Sequence, residues 1–261
     1  MAFLLTSTTP WEYKMPTDAI IRVRHLSVQY DSLLVLHDIS FDVYPGEIFM
    51  VVGGSGIGKT TLLNHMIGLL PPADGHVFIA DDDIITANDI ERARILKKIG
   101  VMYQNGALFG SLNLLENVSL PLEELTELPS QAIQRIARSK LEMVGLSDFC
   151  DYMPAEISGG MRKRAAIARA MVLDPNILFL DEPSSGLDPI TSAQLDLLIQ
   201  NLSKMLGITF FIVSHDLSSI NAIADRVIML HEGKIIVQGK PETLLQDCDS
   251  VLVRKFFKRE A

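Results

Sequence analysis

The sequence predicts an α/β domain in which helices cover both faces of a mainly parallel β-sheet. Short, almost wholly apolar runs are typical of strands buried on both faces, and they occur at 48–52, 177–180 and 208–213. Helical patterns follow them, at 59–69, 191–206 and 216–224. Because strands that alternate with helices favour parallel pairing through crossover connections, this order indicates a parallel sheet.

The composition fits one or two globular domains. The 261 residues are 48% hydrophobic, which supports a sizeable core and excludes disorder for most of the chain. The formal net charge of −9 makes nucleic acid an unfavourable partner. Cys150 and Cys248 form no CxxC pair, so we expect reduced thiols. The apolar runs are too short for a membrane span, and the N-terminus lacks a basic leader, so we expect neither a span nor export.

The regions that flank the predicted sheet differ from it in residue composition. Residues 1–18 resemble a loosely attached arm, and the main domain is expected over 19–245. Short β-rich runs open the domain at 20–23, 26–30 and 39–43, and further short strands close it between Val227 and Gln238. A short tail over 246–261 carries basic and aromatic residues, which either touch anionic lipid or pack two phenylalanines on the domain.

An insertion of helices is expected over about 105–174. Helical patterns occur there at 113–118, 130–144 and 159–173, without a strong strand signal. This segment therefore predicts an α-helical subdomain set into the α/β domain.

A glycine-rich loop with the spacing GxxxxGK[ST] follows the first buried strand. Glycines let backbone N–H groups converge on a polyphosphate, and the helix N-terminus adds positive potential. Lys59 is expected to reach the β- and γ-phosphates, and Thr60 to ligate Mg²⁺. A chance match is disfavoured by the strand before the loop and the helix after it. The predicted phosphate-binding residues are Gly53, Gly54, Ser55, Gly56, Ile57, Gly58, Lys59, Thr60 and Thr61.

Two adjacent carboxylates, Asp181 and Glu182, end a second buried strand. Buried charge without a partner is costly, and open α/β sheets bind ligands at the carboxyl ends of their strands. We expect Asp181 to hold Mg²⁺ and Glu182 to act as the general base for an attacking water. The alternative is a solvated strand end without a function.

A short glycine-containing segment before a basic helical run resembles the LSGGQ signature of ATP-binding-cassette (ABC) ATPases. The segment is Ile157–Ser158–Gly159–Gly160–Met161. Met161 replaces the usual Gln and Ile157 the usual Leu, which puts contacts made by that Gln in doubt. Other motifs occur in the family's order, and they are Gln104 (Q-loop), Ser185–Gly186–Leu187–Asp188 (D-loop) and the switch residue His215. Tyr30 stands where the family places an aromatic residue on adenine.

The resemblance implies a P-loop ABC cassette with a RecA-like core, an antiparallel β subdomain and a helical subdomain. Its ligands would be ATP and Mg²⁺. Glu182 and His215 would be catalytic, while Thr60, Gln104 and Asp181 would hold the metal. Two copies would associate head to tail, so that Ser158, Gly159, Gly160 and Asp188 complete the nucleotide site of the other copy.

A closer resemblance links the chain to the ATPases of Mla and other Mce-type lipid transport systems. It rests on the run from Tyr103 to Phe109, on the methionine in the signature, and on Asp188–Thr191. It implies phospholipid cargo, an integral permease and a Mce-type lipid-binding protein, together with the STAS-domain protein that some members of the family carry. The chain would then lie at the cytoplasmic face of the inner membrane of a Gram-negative bacterium.

Other readings remain open from the sequence. The chain could be a general ABC importer or exporter ATPase for another substrate, or a soluble ABC ATPase in cofactor assembly or translation. A GTPase is disfavoured because the sequence contains no Asn-Lys-x-Asp motif.

Overall fold

The structure is a computed structural model that describes residues 18–31, 33–247 and 250–258. Most of the predicted N-terminal arm therefore lies outside the described residues, and so does Cys248. Cys150 is buried, and its Sγ donates a hydrogen bond to the carbonyl of Ser147. None of the described helices combines the length and apolar character needed to cross a membrane.

Strands and helices alternate along most of the described chain. The strands are β1 (Ile21–Tyr30), β2 (Leu33–Val43), β3 (Ile48–Val52), β4 (Asp74–Ile79), β5 (Asp82–Asp83), β6 (Ile99–Met102), β7 (Ile177–Asp181), β8 (Thr209–Ser214), β9 (Arg226–His231) and β10 (Lys234–Gly239). The helices are α1 (Lys59–Met66), α2 (Asp89–Leu96), α3 (Leu114–Leu125), α4 (Ser130–Met143), α5 (Gly159–Ala170), α6 (Pro189–Leu206), α7 (Leu217–Ile223), α8 (Pro241–Asp247) and α9 (Val251–Lys258).

The larger sheet has six strands in the order β10-β9-β3-β8-β7-β6. All neighbouring pairs from β9 to β6 are parallel, and only β10 runs antiparallel to its neighbour. The predicted parallel sheet is therefore confirmed. Because β8 pairs with both β3 and β7, the carboxyl ends of these three strands lie side by side, which brings the glycine-rich loop near the two predicted carboxylates.

A second, antiparallel sheet has the order β2-β1-β4-β5 and packs on one face of the first. Phe41 of β2 stacks on Phe49 of β3 with ring centroids 5.3 Å apart, and Phe49 in turn stacks on Phe211 of β8. Alternate residues of β3 enter different core clusters, since Phe49 faces the antiparallel sheet while Met50 faces the helices. The antiparallel β subdomain is confirmed.

Between β6 and β7 the chain forms α3, α4 and α5 with two short 3-10 turns and no strand, as the sequence predicts. Asn113 caps α3 through the backbone N–H of Glu116, and the Glu116 carboxylate accepts from the backbone N–H of Asn113. The apolar faces of the helices continue the core cluster that also contains Met50.

Several predicted helix bounds are wrong. The helix expected over 59–69 ends at Met66, because Gly68 adopts a left-handed conformation (φ 68°) and its N–H donates to the carbonyl of His65. The helix expected over 113–118 continues through Pro121 to Leu125, because burial of Leu122 on the core outweighs the hydrogen bond that proline cannot make.

The sequence reading also missed the elements between α1 and the helical subdomain. Of the residues of α2, only Ile95 is buried, so this helix carries almost no apolar periodicity. The strand β4 is polar at its start. The runs predicted separately over 20–23 and 26–30 form one strand, β1, whose register shifts between Val23 and Leu26.

The C-terminal helix α9 packs on the domain. Val253 and Phe257 are buried in the core cluster that also contains Met50, and Phe256 packs partly against it. Of the two alternatives for the tail, contact with anionic lipid or packing on the domain, its phenylalanines follow the second.

Candidate nucleotide site

The glycine-rich loop connects the buried end of β3 to the start of α1. Gly53 has φ 150°, and a Cβ there would lie 2.7 Å from the carbonyl oxygen of Leu230. Gly58 has φ 102° at the N-cap of α1, where no side chain caps the helix. Only glycine fits these conformations without strain, and the uncapped N-terminus leaves backbone N–H groups for an anion.

Lys59 is buried and folds back over this loop. Its Nζ donates to the carbonyl oxygens of Gly53 at 3.1 Å and Gly54 at 2.9 Å. It also lies 3.8 Å from Oε1 of Glu182. Burial lowers the pKa of Lys59, and the nearby carboxylates of Glu182 and Asp181 oppose that shift. The ammonium group is thus poised at the loop, held by neutral carbonyls that a phosphate can replace.

Thr60 and Asp181 form an oxygen-rich pair beside this lysine. The Thr60 hydroxyl lies 3.1 and 3.2 Å from the two carboxylate oxygens of Asp181. Burial raises the pKa of Asp181, while the hydrogen bond from Thr60 acts in the opposite direction. Within the described residues no three His, Cys, Asp or Glu side chains gather as a metal site. The hydroxyl of Thr60 and the carboxylate of Asp181 are oxygen ligands of the kind that Mg²⁺ prefers, and phosphate oxygens and water would supply the others.

Glu182 places a buried carboxylate next to these groups. Its φ is 46°, unusual for a residue with a side chain, and its N–H donates to the carbonyl of Val213 at 2.9 Å. Nδ1 of His215 lies 2.8 Å from Oε2, but Oε2 has no hydrogen-bond partner of good geometry among the described residues. A buried carboxylate beside a lysine and a histidine is suited to hold and deprotonate a water.

Gln104 is close to the site but does not touch the predicted metal pair. Its Nε2 donates to the hydroxyl of Ser185 at 3.3 Å, and in the described part of the chain it has no hydrogen bond to Thr60 or Asp181. Its predicted role as a metal ligand stays a prediction.

The signature residues lie at the N-terminus of α5. Ser158 Oγ accepts the N–H of Met161, and a Cβ on Gly160 would lie 2.3 Å from Cγ2 of Thr191. Asp188 caps α6 by accepting the N–H groups of Ile190 and Thr191. Across the residues described, no hydrogen bond joins Ser158 or Asp188 to residues 53–61.

Tyr30 is exposed at the end of β1. Its ring centroid lies 6.3 Å from that of His65 in α1, whose Nδ1 contacts the carbonyl of Thr61 at 2.8 Å. An open aromatic ring near α1 is compatible with stacking on a base, which stays a prediction.

Sequence reasoning missed Lys163, and it assigned Ser185 to the D-loop without expecting its contact with Gln104. Ser185 receives the hydrogen bond from Gln104, and the buried Lys163 donates from α5 to the backbone carbonyls of Gln104 and Glu182. Lys163 belongs to the basic run after the signature, but from sequence alone a charged residue on a helix is expected to be exposed to solvent.

Comparisons with known proteins agree with this geometry. Residues 36–185 match the family described as ABC transporter. The chain is 40% identical to a probable ribonucleotide transport ATP-binding protein, mkl, of Mycobacterium leprae, over 93% of this chain and 70% of that protein. It is 38% identical to the intermembrane phospholipid transport system ATP-binding protein MlaF of Haemophilus influenzae, over 93% of this chain and 91% of that protein.

Solved structures show the same architecture. A dimeric, post-hydrolysis structure of the ATP-binding cassette MJ0796 with bound ADP and Pi superposes with a TM-score of 0.77 at 29% identity, over 84% of this chain and 98% of that one. The family match and the similar proteins agree with the glycine-rich loop, the Asp181–Glu182 pair and the two-sheet fold. The chain therefore belongs to the ABC transporter family, as an ATP-hydrolysing subunit.

Proposed function

We propose that this chain is the ATPase of a transporter that moves phospholipid between the inner and outer membranes. The observation that carries the ATPase part is the buried Glu182 carboxylate, which lies between Lys59 and His215. The phospholipid part is supported by the similarity to MlaF along almost its whole length.

Nucleotide binding would use the loop and the start of α1. The N–H groups of the loop and the Lys59 ammonium would hold the phosphates, while Thr60, Asp181 and Gln104 would hold Mg²⁺. The metal supplies positive charge that offsets the charge developing on the β- and γ-phosphate oxygens. Tyr30 would stack on the adenine.

Hydrolysis would begin at Glu182. Its carboxylate would accept a proton from the water that attacks the γ-phosphorus, and ADP would leave with the electron pair of the broken P–O bond. His215, 2.8 Å from the same oxygen, would orient this carboxylate and contact the γ-phosphate.

A second copy of the chain would complete the site with Ser158, Gly159, Gly160 and Asp188. Ser158 caps the N-terminus of α5, and among the described residues it makes no hydrogen bond to the glycine-rich loop of its own chain. The dimeric form of the similar cassette MJ0796 supports this arrangement.

An integral permease would dock next to Gln104 and attach the chain to the cytoplasmic face of the inner membrane. Tyr103 and Phe109 are exposed apolar residues on either side of this segment, and Phe109 exposes 52% of its surface. We further propose a Mce-type lipid-binding protein and a STAS-domain protein as partners, and no nucleic acid.

Ribonucleotide transport is the second candidate, because mkl carries that name and is 40% identical. Purification of the tagged chain in mild detergent, followed by mass spectrometry of the intact complex, separates the two. We expect a permease and a Mce-type protein with bound phospholipid, and ATP hydrolysis that phospholipid stimulates. A complex without lipid, whose ATPase activity responds to added ribonucleotides other than ATP, would refute the phospholipid proposal.

A further inference from the structure

The basic side chains of α5 donate hydrogen bonds to backbone carbonyls around this helix. Arg162 donates to Ile157, Arg164 to Val144, and Arg169 to Gly106 and Ala107. All these acceptors belong to the helical subdomain or to the segment that enters it. These contacts make α5 the centre of that subdomain.

Lys163 is different because it reaches out of the helical subdomain. Its Nζ donates to the carbonyl of Gln104 and, at 3.2 Å, to the carbonyl of Glu182 at the end of β7. Only 7% of the residue is exposed. Burial lowers the pKa of Lys163, and the negative charges of Asp181 and Glu182 oppose the shift. The ammonium is therefore held between the Q-loop segment and the catalytic strand end.

The backbone of Glu182 needs such support. A φ of 46° costs energy for a residue with a side chain and persists only where surrounding contacts enforce it. Three contacts hold this backbone: the Glu182 N–H donates to the carbonyl of Val213, and the Glu182 carbonyl accepts both the N–H of Ser185, at 3.1 Å, and the ammonium of Lys163. Loss of the Lys163 bond would leave the carbonyl held by the Ser185 N–H alone, and this weaker hold would let the carboxylate shift from its place beside His215.

Lys59 also lies near Glu182, but it is expected to bind the phosphates of the nucleotide as well. Lys59 lies 3.8 Å from the carboxylate, but its ammonium is also the group that would hold the phosphates. Among the described residues, the hydrogen bonds of the Lys163 ammonium go to two backbone carbonyls, so this group has no competing task in the glycine-rich loop.

We propose that Lys163 is a positioning residue of the ATPase reaction, which fixes the Glu182 backbone and ties it to the Q-loop segment at Gln104. A shift of the helical subdomain would then move the catalytic carboxylate directly. The inference rests on the proposed role of Glu182 as the general base.

The test compares Lys163→Met and Lys163→Arg with the unchanged chain, full length and in its transporter complex. We measure kcat and KM for Mg·ATP, and the Kd of a fluorescent ATP analogue. Loss of a charged hydrogen bond to the Glu182 backbone should lower kcat about 10- to 100-fold in Lys163→Met. KM and Kd should stay within about twofold, because the phosphate-binding groups are unchanged. Lys163→Arg should recover most of the kcat, since a guanidinium can donate to both carbonyls.

Lys140→Met is the matched control, because Lys140 is also buried in the helical subdomain but pairs with Asp174 away from the site. It should lower the unfolding temperature without changing kcat. An unchanged kcat in Lys163→Met, or an equal loss of kcat in the control, would overturn the inference. Glu182→Gln is measured in parallel: if it retains turnover, the proposed base is wrong, whereas an inactive Glu182→Gln beside an active Lys163→Met refutes only the positioning role.

Discussion

Asp196 is a buried carboxylate that should destabilise the domain at neutral pH. It lies on α6 facing α7 and exposes 7% of its surface. Burial raises its pKa from 3.8 to about 6, and the charge of Asp216 acts in the same direction, while a hydrogen bond from Ser219 opposes both. The folded state therefore binds this proton more tightly than the unfolded state does.

The difference in the pKa of Asp196 between the folded and unfolded states sets the direction and the size of its effect on the free energy of unfolding. Between about pH 4 and pH 6 the folded chain holds the proton that the unfolded chain has lost, so the free energy of unfolding falls as the pH rises. Above about pH 6 Asp196 is ionised in both states, and the folded state is destabilised by the full amount. A shift of about two pKa units corresponds to about 3 kcal/mol, as an order of magnitude.

Asp196→Asn removes the charge and keeps the shape. At pH 8 we expect a gain of about 2–3 kcal/mol, which raises the thermal midpoint by roughly 5–10 °C for a domain of this size. At pH 4 the two proteins should unfold at nearly the same temperature. Thermal unfolding followed by circular dichroism from pH 4 to pH 8 measures both. Asp148→Asn, at an exposed turn, is the control and should show no such trend. An Asn variant no more stable than the original at pH 8 would refute the reasoning, as would a difference that does not change with pH.

Three further predictions concern the nucleotide site. Lys59→Ala should weaken binding of a fluorescent ATP analogue by about tenfold or more, because a charged phosphate contact is lost, and an unchanged Kd would contradict the assignment. Gly58→Ala must hold a Cβ at φ 102°, 3.1 Å from Leu36, so its nucleotide affinity should fall as well, whereas Gly110→Ala, with open space around it, should bind normally in the same titration. Removal of Mg²⁺ with EDTA should abolish phosphate release and adding it back should restore it; full turnover without the ion would argue against the Thr60–Asp181 pair.

Much of the site could be predicted because its parts are contiguous. The glycine-rich loop and the pair Asp181–Glu182 each combine a buried strand with the residues directly after it, so local pattern and chemistry coincide. The prediction that they lie together needed only the rule for parallel strand ends. The parallel sheet, the antiparallel subdomain and the helical insertion followed from the same periodicities and from the resemblance.

The missed features depend on contacts between distant segments. Nothing local shows that Lys163 points back to Glu182 rather than to solvent, or that Gln104 meets Ser185. Local periodicity is also weak in α2, and glycine at position 68 ends α1 earlier than the prolines that follow. Burial against the core carries α3 through Pro121, which no local preference predicts.

The central claim is that ATP is hydrolysed by Glu182 in a site closed by a second copy of the chain. The most direct test is sedimentation equilibrium of Glu182→Gln with Mg·ATP and with Mg·ADP. With ATP we expect a particle of twice the chain mass of 28.9 kDa, and with ADP a single chain. A single chain that binds ATP without pairing, or a variant that still turns over ATP at the original rate, would contradict the claim.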